Sequence, residues 1–301
     1  MEKDKRPPWK KVLFESQPYE DNHTDSTFLE NLVLNADIST RNYWEVAYGT
    51  CTIVQQLSTV VGAVAVPVHL HQGRISSDIL LAVDFAILAL GYALGYLVGG
   101  RVPGGSLRRG LRQCVLLLAG VYFEAPLLMS LARTISGDTI VGCIAALLVA
   151  HLYLYDYGFV NSATDSLQGS ISLFAAVFSS VLAASRLVQR KQVFVHILFS
   201  LEMYLLSPFL RRFLCRTHSA IHVATTALMG LGAALLLAAL SAVAASAFCA
   251  ASLFITFACP MWLMRIQKYK QKINGPWDEA VPKWSSLVSN FQYGSPEVQQ
   301  R

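Results

Sequence analysis

Four side chains around one polar turn are the strongest candidates for chemistry in this sequence. His151 lies inside an apolar run, and Asp156, Tyr157 and Asp165 lie in the turn that follows, which contains no Lys or Arg. Tyr157 can offer a ring to lipid and a hydroxyl to a head group, whereas Asp156 suits hydroxyl groups or a partner's Arg. The alternative for His151 is a hydrogen-bonded residue that packs two helices, and for the two acids it is a solvated turn.

Two opposite charges mark the far ends of the same apolar hairpin. Asp138 lies eighteen residues before Asp156, and Arg186 lies eighteen residues after Gln168. If both runs are helical, each charge is about 27 Å from the turn, at the helix end that the dipole favours. We expect an ion pair between Asp138 and Arg186 that fixes the register of the hairpin. The alternative is that Asp138 caps its helix while Arg186 reaches lipid head groups.

Signatures of catalysis and metal binding do not occur in the sequence. We find no D-x-D, H-E-x-x-H or C-x-x-C motif and no nucleophile elbow, and therefore predict no catalytic residue, no metal and no cofactor. Trp277 and Asp278 follow Pro276 near the C-terminus. They indicate either a plain helix start or a docking point for a partner protein, and we include both residues among the candidate contacts.

The composition predicts which elements must position these residues. Of the 301 residues, 54% are hydrophobic and only 14% are charged, which is less charge than a soluble domain usually carries. Apolar runs of the length that crosses a bilayer recur along the chain. We predict an all-α polytopic membrane protein with a tail at 1–45, a membrane domain at 46–265 and a tail at 266–301. About eight helices are expected, at 46–70, 79–98, 111–131, 140–154, 167–182, 193–210, 222–243 and 245–265.

The distribution of basic residues predicts the orientation. With eight crossings, 19 of the 24 Lys and Arg residues fall on the side of the two termini. Because cytosolic loops carry the excess of positive charge, both termini are expected in the cytosol. The turn at Asp156 is then cytosolic, and Asp138 and Arg186 are lumenal. The basic residues lie at the ends of apolar runs, which indicates membrane orientation and not nucleic-acid binding.

Several short motifs, in one order along most of the chain, resemble the phosphatidylinositol-glycan class C family. The sequence departs from the family pattern in the Gly-rich linker 99–105 and in the extra tail 284–301. The matching motifs are Trp9-Lys10-Lys11-Val12-Leu13-Phe14-Glu15, Gln17-Pro18-Tyr19, Tyr43-Trp44, Gln55-Gln56-Leu57, Asp138-Thr139-Ile140, His151, Asp156-Tyr157-Gly158, Ser185-Arg186-Leu187, Cys259-Pro260 and Gly275-Pro276-Trp277-Asp278-Glu279-Ala280.

The resemblance implies a role in the endoplasmic reticulum membrane. The family provides one subunit of the phosphatidylinositol N-acetylglucosaminyltransferase complex, which transfers N-acetylglucosamine from UDP-N-acetylglucosamine to phosphatidylinositol, the first step of GPI-anchor synthesis. Catalysis is expected in another subunit, so this chain is expected to be a non-catalytic scaffold that helps to present the lipid. Its expected partners are the other subunits and membrane lipid, with phosphatidylinositol among the candidates. Two alternatives stay open: a lipid transporter or flippase, which would predict inverted repeats, and a transferase that acts alone.

Overall fold

A computed structural model describes most of the membrane part of the chain. The described residues are 7, 9–10, 12, 15–20, 23, 33–34, 41–99, 104–132, 134–161, 163–164, 167, 169–270 and 273–274. The chain divides into a membrane unit, Arg41–Arg265, and a terminal unit that comprises Met1–Thr40 and Ile266–Arg301. The domain limits drawn from the sequence stay a prediction.

Helices account for the regular structure of the membrane unit within its described residues. Serine and asparagine caps begin several of them, because their side-chain oxygens accept from the otherwise unpaired amides of the first turn. The helices are α1 (Tyr43–His71), α2 (Ser77–Gly99), α3 (Gly104–Ser130), α4 (Gly137–Leu154), α5 (Tyr157–Val160), α6 (Ser170–Ala184), α7 (Arg190–Leu201), α8 (Ser207–Thr217), α9 (Ser219–Ala238), α10 (Ala242–Leu253) and α11 (Cys259–Gln267).

The all-α polytopic architecture predicted from the sequence is confirmed. Six of the described helical runs are long and apolar enough to cross a membrane, since about 20 residues span the hydrocarbon core. The apolar helix α6 is shorter, with 15 residues, and α2 has 23. The count of about eight crossings stays a prediction. The six runs are Tyr43–His71, Arg112–Ser130, Gly137–Leu154, Arg190–Thr217, Ser219–Ala238 and Ala242–Gln267.

Two of these runs contain a π-helical turn, and a proline follows each turn at the same distance. Glu202–Leu206 joins α7 to α8 and precedes Pro208, and Phe254–Ala258 joins α10 to α11 and precedes Pro260. A proline inside a helix lacks the amide donor and crowds the carbonyl four residues earlier. The wider π turn accommodates the proline, so each helix continues through it instead of ending.

Helix α1 is the central element of the membrane unit. Most of its residues from Thr50 to Leu70 are buried, including polar ones. Three of its buried hydroxyls bond within the helix: Thr50, Ser58 and Thr59 donate to carbonyls three or four residues earlier, at 2.7–3.0 Å. Because these three groups need no outside partner, neighbouring helices can pack against α1 from several sides.

Two side-chain contacts join distant parts of the membrane unit. Tyr43 Oη, at the start of α1, donates to the carbonyl of Phe257 in the second π turn at 3.3 Å. Beyond the other end of α1, Lys191 Nζ and Asp78 Oδ1 form an ion pair at 2.5 Å. Which end faces the cytosol stays a prediction.

The terminal unit contains a short antiparallel pairing between its two segments. Val33 pairs with Asn274 and Leu34 with Ile273, in two strands of two residues each, β1 (Val33–Leu34) and β2 (Ile273–Asn274). Among the described residues these are the only strands. They are too short to alter the all-α assignment of the membrane unit.

Candidate functional site

The turn after α4 is a compact structure with its own cap. Asp156 is the N-cap of α5, and its Oδ1 accepts a hydrogen bond from the amide of Phe159 at 3.0 Å. The short helix then ends at Asn161. A carboxylate is a favoured cap because it pairs an amide that the helix itself leaves unpaired. Asp156 therefore shapes the turn, and we assign it this structural contact in addition to any contact with a ligand.

Asn161 attaches the turn to the central helix. Its Oδ1 accepts from Thr52 Oγ1 at 2.5 Å, and its Nδ2 donates to the carbonyl of Gly49 at 3.2 Å. Both partners lie in α1, more than a hundred positions earlier in the sequence. A single amide side chain thus uses its acceptor and one of its donors to fix the turn against the middle of the bundle.

Arg212 holds the turn from the side of α8. Its Nη1 donates to the carbonyl of Phe159 at 2.6 Å and to the carbonyl of Thr164, and its guanidinium lies 4.4 Å from the ring centroid of Phe159. The side chain is only 9% exposed. Hydrogen bonds from a charged donor are stronger than neutral ones, and the ring adds a cation–π contact. The turn is therefore attached to both α1 and α8.

A buried chain of hydrogen bonds runs beneath the turn and includes His151. Arg211 Nη2 donates to Gln56 Oε1 at 2.7 Å, and Gln56 Nε2 lies 2.6 Å from His151 Nε2. His151 Nδ1 lies 2.9 Å from the carbonyl of Ser172. Exposure is 2% for Arg211 and His151 and zero for Gln56. The chain joins α8, α1, α4 and α6 across the interior of the bundle.

The partners determine how the protons in this chain are arranged. The Gln56 amide accepts with its oxygen, so its nitrogen donates and His151 Nε2 must accept. We therefore assign the proton of a neutral imidazole to Nδ1, which donates to Ser172. Ser172 Oγ in turn donates to the carbonyl of His151 at 3.0 Å. In this arrangement His151 joins α4 to α6, which is the helix-packing alternative stated from the sequence.

Arg211 is a buried cation whose bonded partners are all neutral. Besides Gln56 it donates to Tyr155 Oη at 3.0 Å, while its Nε and Nη1 have no hydrogen-bond partner among the described residues. Removing a guanidinium from water is costly unless its donors are paired. The few bonds it makes are therefore important, and the structure depends on Gln56 and Tyr155 to offset the cost.

Tyr157 lies half-buried in the turn with its hydroxyl turned inwards. Its Oη donates to the carbonyl of Leu152 at 2.8 Å, and its ring packs edge-on against Tyr155 with centroids 5.0 Å apart. Burial, and to a lesser extent electrostatic repulsion from the neighbouring phenol group of Tyr155, raises the pKa of Tyr157 to about 12. The phenol stays protonated at neutral pH and keeps this bond. The hydroxyl that the sequence suggested for a head group is thus used inside the protein.

The expected ion pair between Asp138 and Arg186 is not formed. Arg186 Nη2 instead donates to the carbonyls of Ile135 at 2.5 Å, Ser136 at 3.3 Å and Ala132 at 3.4 Å. These carbonyls lie between α3 and α4, and two of them also accept backbone amides, Ala132 from Ile135 and Ser136 from Ile140, each at 3.2 Å. The guanidinium uses their remaining lone pairs. Ser136, and not Asp138, is the N-cap of α4. Arg186 and the start of α4 do lie at one level, as the helix lengths predicted.

Three candidate residues, Asp165, Trp277 and Asp278, lie outside the described residues. Arg211, Arg212 and Asn161 were not among the candidates predicted from the sequence, where the two arginines counted only as charges for orientation. Gln56 was part of a family motif but had no predicted structural role. The amide pair Gln55-Gln56 inside an apolar run could have indicated a buried polar site, because polar groups at membrane depth need hydrogen-bond partners. No cluster of three or more His, Cys, Asp or Glu residues suited to a metal occurs in the described part of the chain.

Comparison with known proteins gives the family. The sequence model of the GPI2 family, described as phosphatidylinositol N-acetylglucosaminyltransferase, matches residues 9–278. A relative from Dictyostelium discoideum is 38% identical over 272 residues, covering 90% of this chain and 79% of its own. A human relative, the C subunit of phosphatidylinositol N-acetylglucosaminyltransferase, is 34% identical over 279 residues, covering 91% of this chain and 93% of its own. The Schizosaccharomyces pombe phosphatidylinositol N-acetylglucosaminyltransferase GPI2 subunit is 29% identical over 282 residues, covering 92% of this chain and 87% of its own.

No solved structure matches the chain. The family match covers far more than half of the sequence, and each of these relatives aligns over at least 90% of the chain. The chain therefore belongs to the GPI2 family of phosphatidylinositol N-acetylglucosaminyltransferase proteins.

Proposed function

We propose that this chain is the GPI2-type subunit of a phosphatidylinositol N-acetylglucosaminyltransferase complex, and that it acts there as a non-catalytic scaffold. The names of its relatives support membership of such a complex. The complex would transfer N-acetylglucosamine from UDP-N-acetylglucosamine to phosphatidylinositol, the first step of GPI-anchor synthesis. Its partners would be the other subunits, including the catalytic one. The location would be the endoplasmic reticulum membrane, with both termini and the turn at Asp156 on the cytosolic side.

One observation carries the scaffold assignment: the buried polar side chains around the turn bond to other parts of the same chain. Gln56, His151, Asn161 and Arg212 each join two helices, or a helix and the turn. A catalytic group needs a donor or an acceptor that is available to the substrate. Groups that hold helices together are instead those of a rigid support.

The turn is the part of this support that we assign to contact with a partner or with the lipid substrate. Its interior is fixed to α1 and α8, so its outer surface keeps a constant shape. Tyr153, which is 86% exposed, and Leu167, which is 36% exposed, lie on either side of it. Exposed apolar side chains beside a fixed polar turn suit an interface that is half lipid and half protein.

A reconstitution experiment tests the proposal. Cells that lack the chain should make no N-acetylglucosaminyl-phosphatidylinositol from radiolabelled UDP-N-acetylglucosamine, and their remaining subunits should no longer co-purify in mild detergent. Restoring the chain should recover both. The purified chain alone should transfer no sugar. Transfer by the single chain would contradict the scaffold role, and an intact, active complex without the chain would contradict membership.

The same preparation separates the scaffold from a lipid transporter or flippase. The purified chain, placed in vesicles, should not move fluorescent phosphatidylinositol or phosphatidylcholine between leaflets faster than empty vesicles do. Faster movement by the single chain would favour the transporter. In that case the rate of lipid movement should be compared between the intact chain and Asn161→Ala, which detaches the turn from α1. A changed rate would show that the lipid passes the turn.

A further inference from the structure

A cavity of about 510 Å³ lies between α1, α4 and α6, at the end of the hairpin away from the turn. Its walls are mostly apolar, and its charged or titratable groups, His71, Asp138 and Arg186, belong to the helix ends at one level. The remaining lining residues are Ala63, Val64, Pro67, Val68, Gly137, Ile140, Val141, Ile144, Leu148, Ser179, Ser180, Ala183 and Leu187. The cavity therefore has an apolar interior and a charged mouth.

The depth of the cavity matches one leaflet of a bilayer. Along α4 the lining runs from Gly137 to Leu148, and along α1 from Ala63 to His71, which correspond to about 16 Å and about 12 Å of helix. Half of the hydrocarbon core is about 15 Å thick. The cavity thus extends from the membrane surface to about the middle of the bilayer.

The length of the cavity suits an extended hydrocarbon chain. A chain that enters at the mouth can follow α1 and α4 to about the middle of the bilayer, which is where the acyl chains of one leaflet end. A single acyl chain is also thin and flexible enough to follow the walls of the cavity. A partner helix at this position is the competing occupant that the experiment below must separate from lipid.

The interior of the cavity suits an apolar occupant. The hydroxyls of Ser179 and Ser180 are its main polar groups away from the mouth, and both donate to the carbonyl of Ala176, at 2.7 Å and 3.2 Å. Their hydrogens are therefore not available to a ligand. An apolar chain can cover these walls without leaving a polar group unpaired.

The mouth suits a phosphate next to an amine. The guanidinium of Arg186 is fixed by the carbonyl of Ile135 at 2.5 Å, and its bonds to carbonyls all use Nη2. Its Nη1 makes no hydrogen bond among the described residues and is not one of the buried atoms. A fixed guanidinium with an unused donor is a strong site for a phosphate oxygen. Asp138 is exposed at the same mouth, and its carboxylate would repel an anion but attract an ammonium group.

We propose that this cavity holds one acyl chain of a membrane glycerophospholipid, with its phosphate at Arg186 and an amine-bearing head group near Asp138. The lipid is a structural component of the chain. It lies in the leaflet opposite to the turn, so it differs from the phosphatidylinositol that the complex is proposed to use.

Two matched substitutions on α4 test the proposal. Val141 and Val149 are both 67% exposed, but only Val141 lines the cavity. The indole of Val141→Trp should fill the cavity, while that of Val149→Trp should only face bulk lipid. Native mass spectrometry of the complex, released from mild detergent, should show one retained phospholipid on the chain with Val149 replaced and at least about tenfold less with Val141 replaced.

Two results would overturn the acyl-chain assignment. The first is equal retention of phospholipid by both variants. The second is a Val141→Trp complex that loses a protein subunit while its bound phospholipid stays. Melting temperatures of both variants show whether a change in retention is only a loss of the fold. A Val141→Trp chain that melts like the Val149→Trp chain, and yet retains no lipid, supports the proposal.

The head group is tested with Asp138→Asn, because Asp138 makes no hydrogen bond or ion pair within the described residues. The delipidated complex should bind short-chain phosphatidylethanolamine and phosphatidylcholine more tightly than phosphatidylglycerol. Asp138→Asn should remove most of that preference. Arg186→Gln should weaken all three probes about tenfold, the scale of one charge-assisted hydrogen bond. No preference in the unaltered chain would overturn the amine assignment, and an unchanged affinity after Arg186→Gln would overturn the phosphate assignment.

Discussion

Replacing Gln56 by methionine should destabilise the chain severely, because that residue serves two buried groups at once. Gln56 accepts from Arg211 Nη2 at 2.7 Å and lies 2.6 Å from His151 Nε2. Methionine has a similar length and flexibility, so the change removes hydrogen bonds and leaves little cavity. Arg211 would keep only its bond to Tyr155. The buried cation would then have lost one of its two partners.

The magnitude follows from what each group loses. A hydrogen bond to a charged group contributes about 1.5–3 kcal/mol, and an unpaired neutral group such as the His151 nitrogen costs about 1–3 kcal/mol. Their sum is about 2.5–6 kcal/mol of unfolding free energy. At about 2–4 °C per kcal/mol for a unit of this size, the melting temperature should fall by roughly 5–25 °C.

The neighbouring residue provides a matched control. Gln55 is also completely buried, but its Nε2 donates to Thr226 Oγ1 at 2.8 Å, and that hydroxyl already donates to the carbonyl of His222. Gln55→Met therefore breaks only contacts between neutral groups and should cost about 1–2 kcal/mol, or a few degrees. The two variants have the same substitution and the same burial, and differ in whether a cation loses its partner.

Thermal unfolding of the purified variants in mild detergent measures the difference. A double variant, Gln56→Met with Arg211→Met, should melt above the single Gln56→Met variant, because no unpaired buried cation remains. Equal melting temperatures for the Gln55 and Gln56 variants would refute the reasoning. A double variant less stable than Gln56→Met would also refute it, since removing the charge would then have given no relief.

Three further results are expected. Asn22, outside the described residues, should stay unglycosylated in its Asn-His-Thr sequon if both termini are cytosolic, and a glycosidase-sensitive gel shift that Asn22→Gln abolishes would contradict that topology. Asn161→Ala should lower radiolabel transfer by the complex more than Asp156→Ala, which removes one cap bond worth about 1 kcal/mol; equal losses would argue against Asn161 as the attachment. Arg212→Met should accelerate proteolysis within the turn, while Arg216→Met, at an exposed position of the same helix, should not.

The positions of the helices could largely be predicted from hydropathy, and the deviations have physical causes. The predicted run 140–154 is observed as Gly137–Leu154 because Ser136 caps the helix earlier. The apolar stretch that the sequence divides between Ser241 and Ser246 breaks at the start of that interval, just before α10, where Ser241 accepts from the amide of Ala244. A nearly uniform alanine-rich run has no periodicity that marks a break, so only the capping residue indicates it.

The site could be predicted only in part, because hydropathy does not show which way a helix faces. His151 and the turn were selected from the sequence, and the structure places them together. Arg211 and Arg212 were treated as exposed because Lys and Arg near a span end usually reach the membrane surface. Their burial depends on Gln56 and Asn161 being brought to the same place by α1, and one sequence contains no measure of that proximity.

The π turn before α8 sets the direction in which the side chains of α8 point, including those of Arg211 and Arg212. A π turn adds one residue to a turn, so every side chain after it is rotated by about 100° from its place in an unbroken α-helix. Glu202–Leu206 lies directly before α8, which carries Arg211 and Arg212. Successive side chains of a helix differ in direction by about 100°, so after this rotation one guanidinium reaches Gln56 and the other reaches the turn. These two contacts connect the membrane bundle to the turn that we assign to partner contact.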